Sequence, residues 1–463
     1  MKASFNSTVG EVVAMCGGKL LCGRASEQLT YITSDSREAE QGCLFIALPG
    51  ERFDGHNFVD SLAADGLASA LIVAKKPDVL AERFASVAVI LCDDTRAALA
   101  KIAAAYRRFF DLRVAAITGT NGKTTVKELL YLALSTRFKT HKNEKNYNNE
   151  IGVPFTVLTL NKEHEAAVFE LGMNHAGEIS SLSKIVKPNV AVITNAGEGH
   201  LEFLGNTENV ARAKAEIIDG LAPGGLLILN RDSDCFDIME STALNAGFRV
   251  KTFGLDAKAD CFPSSYSITK DSVKLVYEDC TVSAPLYGIH NVYNLLAVIV
   301  AAGEFGLAPS EIAPALASFE PVDGRSAIID KRYIIINDTY NSNPLSSKAA
   351  IASIKEIFGA RRKIAALSDM RELGEAAPEY HREIGALAAA NFDVLCVYGE
   401  MAGEYMAGAT TTGAAGRGCE LHEFASKGDM SVYLEQILGD NDVVLVKGSR
   451  STRMEEIVES LVK

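Results

Sequence analysis

Val114-Ala115-Ala116-Ile117-Thr118-Gly119-Thr120-Asn121-Gly122-Lys123-Thr124-Thr125 is an apolar run that breaks into a glycine-containing turn. The run reads as a short buried strand. Apolar residues at Val126, Leu129, Leu130, Ala133 and Leu134 predict a helix over 126–134. Strand, turn, Lys-Thr and helix in that order make a phosphate-binding loop. Gly119 and Gly122 let the backbone turn, so that N–H groups from Gly119 through Thr120, Asn121 and Gly122 to Thr125 converge on phosphate oxygens. Lys123 neutralises the β- and γ-phosphates, and the Thr124 hydroxyl is placed for Mg²⁺. The general spelling of such a loop has an earlier glycine where Ile117 stands. Strand, loop and helix still fall where ATP binding needs them.

Working outward, 463 residues imply about two to four domains. Apolar residues make up 48% and charged residues 23%, enough for a sizeable core. A net charge of −13 argues against a nucleic-acid surface. It leaves room for small anions, which need only a local cluster of cations and N–H groups. The nine cysteines are scattered, odd in number and without metal-ligand spacing, as expected of buried thiols in a reducing compartment. Glu11 comes early and no sustained apolar core follows it, so no signal peptide is read. No apolar run approaches the roughly 20 residues of a membrane span. A cytoplasmic monomer is expected.

The pattern predicts three α/β domains: 1–91, a small ligand-binding unit; 92–320, the ATP-binding unit around a largely parallel sheet; and 321–463, a doubly wound unit. In the first, Leu44–Leu48 and Leu71–Val73 read as strands. Asp35-Ser36-Arg37 and Phe53-Asp54-Gly55-His56-Asn57-Phe58 form two polar clusters. Ser36 and Arg37 in one loop and His56 in another suit a phosphorylated ligand, Arg37 being the bidentate donor; solvated turns account for them equally. In the second, Asp94–Phe110 reads as a helix, and Ala166–Leu171, Val190–Thr194 and Leu226–Leu229 as strands. Glu170 closes one strand and His200 follows another, which puts both on the rim that holds Lys123. Residues 256–287 look like a β-rich insertion. Asn291 and Asn294 lie three apart at a helix start, where amides serve to read an adenine edge or to cap. The third unit is predicted from strands at 333–337, 363–367, 394–397 and 443–446 and helices at 344–357, 376–390 and 453–461. Gly413–Gly418 reads as a loop, not a dinucleotide fingerprint, since no strand feeds it.

Thr118 to Thr125 is similar to the Thr-Gly-Thr-Asn-Gly-Lys-Thr loop of the Mur ligase family, which includes the folylpolyglutamate synthases. The resemblance extends over nearly the whole chain. It takes in Asp35-Ser36-Arg37, the cluster at 53–56, Asn146–Pro154, Asn337–Pro344, Asp369–Gly374 and Lys447–Arg450. It implies a three-domain ATP-dependent carboxylate–amine ligase of peptidoglycan synthesis. The runs at 146–154, 337–344, 369–374 and 447–450 resemble those of the member acting on UDP-N-acetylmuramoyl-tripeptide and D-alanyl-D-alanine. The Asp-Asn-Pro-Arg run expected of the tripeptide-forming member does not occur.

By the same resemblance, Thr124 and Glu170 would hold one Mg²⁺, and His200 and a carbamylated Lys214 a second. Arg325, Asp338 and Asn343 would reach the nucleotide from the third domain. Ser36, Arg37, His56, Asn148 and Asn149 would contact the UDP-substrate. Arg450, with Lys447 nearby, reads as an anion anchor whose carboxylate partner the sequence leaves open. Because second- and third-domain ligands converge, hinge closure is expected. Two other readings carry the same loop. A folate-type ligase would not need the Asp-Ser-Arg cluster. A nucleotide switch would hydrolyse ATP without a second substrate, and Asn161-Lys162-Glu163-His164 fails the guanine-specificity pattern at its last position.

Overall fold

The computed structural model describes residues 1–50, 53–76, 84, 87–321, 324–325, 327–411 and 418–463. Three six-stranded sheets follow one another along the chain, with a three-stranded antiparallel sheet between the second and third. The loop expected at Gly413–Gly418 lies outside the described residues, save Gly418.

The central sheet runs Arg249–Phe253, Leu226–Asn230, Val190–Ile193, Arg113–Thr118, Ala166–Glu170, Thr140–Lys142, with every neighbouring pair parallel. Its four inner strands are almost entirely buried, as unbroken apolar runs of a sheet covered on both faces should be. The strand that feeds the phosphate loop sits between the strand ending at Glu170 and the strand preceding His200. Parallel register therefore carries all three to one rim. The helix after the loop spans Lys123–Ser135, three residues earlier than its apolar pattern suggests. Gly122, at φ +85°, turns the chain into it.

In the first domain the inner strands Gln28–Thr33, Cys43–Ile46, Ala70–Val73 and Ala88–Leu91 are parallel, and Lys2–Thr8 and Lys19–Cys22 close the edges antiparallel. Helix Thr95–Arg107, capped by Asp94, links this unit to the central one and packs on helices of both. The β-rich stretch is the hairpin sheet Ser265–Ile268, Val273–Tyr277 and Cys280–Ala284. In the third domain, Ile334–Asp338, Val443–Lys447, Lys363–Ser368, Val394–Tyr398 and Glu420–Phe424 are parallel, with Ala327–Asp330 antiparallel at the edge. All nine cysteines are free thiols, five of them buried. No helix among the described residues is long and apolar enough to cross a membrane.

Candidate active site

Two glycines shape the phosphate loop for different reasons. A Cβ on Gly119 would lie 1.8 Å from Thr194 Oγ1, so the loop is pressed against the neighbouring strand end. Gly122 is left-handed, and a Cβ there would lie 2.5 Å from Asn294 Oδ1. Asn195 clamps the crest: its Oδ1 accepts the Asn121 N–H at 2.9 Å and its Nδ2 donates to the Asn121 carbonyl at 3.1 Å. Lys123 Nζ folds back over the loop, donating to the carbonyls of Gly119 at 2.7 Å and Thr120 at 3.1 Å. Burial pushes its pKa down; Glu170 and Glu372 pull it up, and Arg325 pushes it down further. Those four side chains thus share one field.

Glu170 is 1% exposed, and its carboxylate is divided between two partners. Thr124 Oγ1 donates to Oε2 at 2.7 Å and Asn148 Nδ2 to Oε1 at 2.7 Å. Hydroxyl and carboxylate oxygens meeting in this way are the donors a hard divalent cation takes, so the pair fits Mg²⁺. Asn148, expected to contact the UDP-substrate, holds the Glu170 carboxylate here. Asn149 is a capping residue: its Oδ1 accepts from the Ile151 and Gly152 N–H groups at the start of helix Gly152–Leu158.

Lys214, on helix Thr207–Ala215, is 1% exposed. Among the described residues no carboxylate pairs with it. Burial, with Lys123 adding repulsion, holds its pKa well below the ordinary lysine value. His200 stands at φ +59°, and its Nδ1 lies 2.7 Å from Glu372 Oε2 of the third domain, out of line for a good hydrogen bond. Burial lowers its pKa and Glu372 works the other way. Among the described residues no three His, Cys, Asp or Glu side chains form a metal cage. A second cation at His200 would find one carboxylate beside it, that of Glu372, and a carbamate on Lys214 would add two more oxygen donors.

The third domain closes over the loop. Arg325 stacks on Tyr340 with its guanidinium carbon 3.8 Å from the ring centre. Asn121 and Asn343 exchange two amide hydrogen bonds, at 3.1 and 2.9 Å. Asn343 also caps helix Pro344–Phe358 through the Ser346 N–H at 2.8 Å. Asn121, Asn294, Arg325, Asp338 and Lys447 line one cavity of about 390 Å³ between the domains. Lys447 is 1% exposed and donates to Asp338 Oδ2 at 2.6 Å, so it orders this cavity and does not serve as an open carboxylate anchor.

The Tyr287 carbonyl fixes the Asn291 amide. Nδ2 donates to it at 2.7 Å and to His290 Nε2 at 3.0 Å, which leaves Oδ1 to accept Asn294 Nδ2 at 2.8 Å. Both amide protons of Asn291 are spent inside the protein, so it orients Asn294 and His290 and does not read a base edge itself. His290 lines the cavity and was missed from sequence.

In the first domain the loops holding Arg37 and His56 follow adjacent parallel strands and share one end of the sheet. Ser36 begins a single 3₁₀ turn, and Arg37, 87% exposed, pairs with Asp35 at 2.6 Å. His56 is committed to the fold. Its Nε2 accepts the Ala74 N–H at 2.9 Å, so the ring proton sits on Nδ1, 2.7 Å from Asp54 Oδ1. Arg450 is exposed and pairs with Glu455 at 3.0 Å on its own segment, which gives no support to an anchor inside the cleft. Asn143, Asn195, Glu372 and His290 are the residues the sequence did not single out. None lies in a motif that spacing alone makes chemical.

A phosphate loop on a parallel sheet, faced across a nucleotide-sized cavity by an arginine from a second α/β unit, defines a multidomain ATP-dependent enzyme. Comparison with known proteins narrows the class. Residues 117–302 match the Mur ligase middle domain, 324–450 the Mur ligase glutamate ligase domain, and 28–107 the Mur ligase family catalytic domain. The chain is 35% identical over 462 residues to the UDP-N-acetylmuramoyl-tripeptide–D-alanyl-D-alanine ligase of Bacillus subtilis (strain 168), covering 98% of each. A crystal structure of MurF from Acinetobacter baumannii superposes with a TM-score of 0.89 at 32% identity, covering 99% of each chain. MurF ligase from Thermotoga maritima in complex with ADP matches at 0.80 and 27% identity, over 93% of this chain and 96% of that one. The chain belongs to the Mur ligase family and is an ATP-dependent, amide-bond-forming ligase.

Proposed function

We propose that this chain joins D-alanyl-D-alanine to the peptide carboxylate of UDP-N-acetylmuramoyl-tripeptide, converting ATP to ADP and phosphate and releasing UDP-N-acetylmuramoyl-pentapeptide for peptidoglycan. The observation that carries the mechanism is the meeting of Lys123, the Thr124–Glu170 pair and unpaired, buried Lys214 on one rim, with Arg325 opposite.

A carboxylate is a poor electrophile, so its oxygen first attacks the γ-phosphorus and ADP leaves, giving an acyl phosphate. The dipeptide amine then attacks the acyl carbon and phosphate departs. Both partners in the first step are anions, so catalysis rests on neutralising and positioning them. Lys123 leaves its loop carbonyls for the β- and γ-phosphates, and Arg325 meets the transferred phosphoryl group from across the cleft. Thr124 and Glu170 would hold Mg²⁺, which spreads the phosphate charge when bound. The free-amine form of Lys214, which burial favours, would add to CO₂, forming an N–C bond and releasing a proton, and the carbamate with His200 would hold a second ion. Asp338, Asn343 and Asn294 order the nucleotide. Ser36 and Arg37 present a hydroxyl and a guanidinium to the UDP diphosphate. The enzyme acts in the cytoplasm, as a monomer.

The test is ADP release on mixing protein, ATP, Mg²⁺ and both substrates. Release that needs both the tripeptide nucleotide and the dipeptide supports ligation; release with neither would mark a switch. Lys123→Ala should abolish turnover. Lys214→Ala should do so too, with partial recovery in small carboxylic acids, and full activity in that variant would remove the carbamate from the mechanism.

A further inference from the structure

Lys127 lies one turn beyond Lys123 on helix Lys123–Ser135, and its side chain is 0% exposed. Its ammonium donates to the carbonyls of Asn143 at 2.9 Å and Lys145 at 3.3 Å, and meets Glu128 Oε1 at 2.8 Å. A buried ammonium persists only where its protons are met this fully, and an aliphatic side chain would fill the space with less desolvation. Packing alone therefore gives no reason for a lysine here.

Its carbonyl partners give one. Asn143, also 0% exposed, grips the backbone of Glu170 from both sides: Oδ1 accepts the Glu170 N–H at 2.8 Å and Nδ2 donates to the Glu170 carbonyl at 3.1 Å. The same Nδ2 reaches the Tyr147 carbonyl at 2.9 Å. Lys145 stands at φ +48°, a left-handed turn that returns the chain so that Asn148 reaches Glu170 Oε1 at 2.7 Å. Lys127 thus pins the start of the segment running from Asn143 to Asn148 that aims the Glu170 carboxylate, without touching that carboxylate.

We propose that Lys127 is a positioning residue: through Asn143 and the 145–148 turn it fixes Glu170 against Thr124 and so sets the affinity of that site for Mg²⁺. This rests on the reading that Thr124 and Glu170 hold the ion. Removing an outer partner of a metal ligand lowers metal affinity by roughly 10–100-fold.

The experiment uses full-length Lys127→Met and Asn143→Ala, each checked for folding by circular dichroism. A fluorescent ADP analogue is titrated in EDTA and again across a Mg²⁺ series, and turnover is measured over the same series. Nucleotide affinity in EDTA should match the parent, whereas the Mg²⁺ concentration for half-maximal tightening and half-maximal rate should rise about tenfold or more. The double variant should be no worse than the poorer single one, because both act along one path. A folded Lys127→Met with the parent's Mg²⁺ dependence would overturn the proposal. So would equal loss of binding in EDTA, which would mark general damage to the loop helix. If Lys127→Met does not fold, Lys127→Gln and Asn143→Ala decide by the same readouts. If nucleotide binding by the parent protein does not tighten with Mg²⁺ at all, the metal reading fails first and takes this proposal with it.

Discussion

A lysine that is wholly buried, with no carboxylate beside it among the described residues, keeps its proton only at a cost, so burial shifts Lys214 toward the free amine. A free amine is the nucleophile that CO₂ addition needs; Ala211-Arg212-Ala213-Lys214-Ala215 by itself reads like any helix surface, and only the resemblance to the Mur ligases marks Lys214. Burial, not residue type, makes the difference. The phosphate loop is the opposite case, because its spacing carries its conformation. Gly122 is left-handed beneath the Asn294 amide, so Gly122→Ala should lower stability by about 1–2 kcal/mol and weaken nucleotide binding as well. Urea unfolding and nucleotide titration of the same sample test this; unchanged binding would show that Asn294 yields freely. Asn291 was legible as part of the site but not in its role. Which way an amide points depends on a carbonyl, here that of Tyr287, that no side-chain pattern encodes.

Most strands buried on both faces were readable from sequence, since a strand such as Val190–Ile193 has to be apolar throughout, although the inner strand Ala88–Leu91 was not singled out. Edge strands were not. Thr140–Lys142 and Glu420–Phe424 are half exposed and polar, and only their neighbours' open N–H and C=O groups make them strands. The first of these carries a titration that can be measured. His141 packs 4.7 Å from the His164 ring, and burial holds its pKa down to about 4 from 6.5. With the folded pKa depressed, the unfolded chain binds the extra proton between those values, so stability is fully present above pH 6.5 and falls as pH drops toward 4. The share of His141 is on the order of 3 kcal/mol at its fullest. His141→Gln should flatten the pH dependence of urea stability in that window, and an unaltered slope would mean the ring is not buried in solution. Helix Pro344–Phe358 offers a second test. Asn343→Asp keeps the cap acceptor and loses the donor to Asn121, so stability should hold while ATP turnover falls. Asn343→Ala should lose both, with about 1 kcal/mol of stability.

At the scale of the molecule, the second and third domains meet through contacts that include His200 with Glu372 and the Glu202 N–H with the Glu372 carbonyl. Asn121 pairs with Asn343, Lys348 with Glu198 at 3.4 Å, and Gly197 admits Leu345 where a Cβ would lie 2.8 Å from it. Burial is the main cause of the lowered Lys123 pKa; the same interface sets Arg325 near it, cation toward cation, which lowers it further against the pull of Glu170 and Glu372. In an empty closed cleft these two cations repel, and a polyphosphate between them turns that repulsion into attraction. Nucleotide should then drive closure, because it binds the closed arrangement better than the open one. Small-angle scattering should show a larger radius of gyration in the apo protein than with an ATP analogue and the UDP-substrate. If repulsion between these two cations opposes closure, Lys123→Met should compact the apo protein, as should high salt, which screens the pair. A scattering envelope indifferent to ligand, to salt and to Lys123→Met would mean the domains are locked by packing, and the facing cations would then have to be explained by catalysis alone.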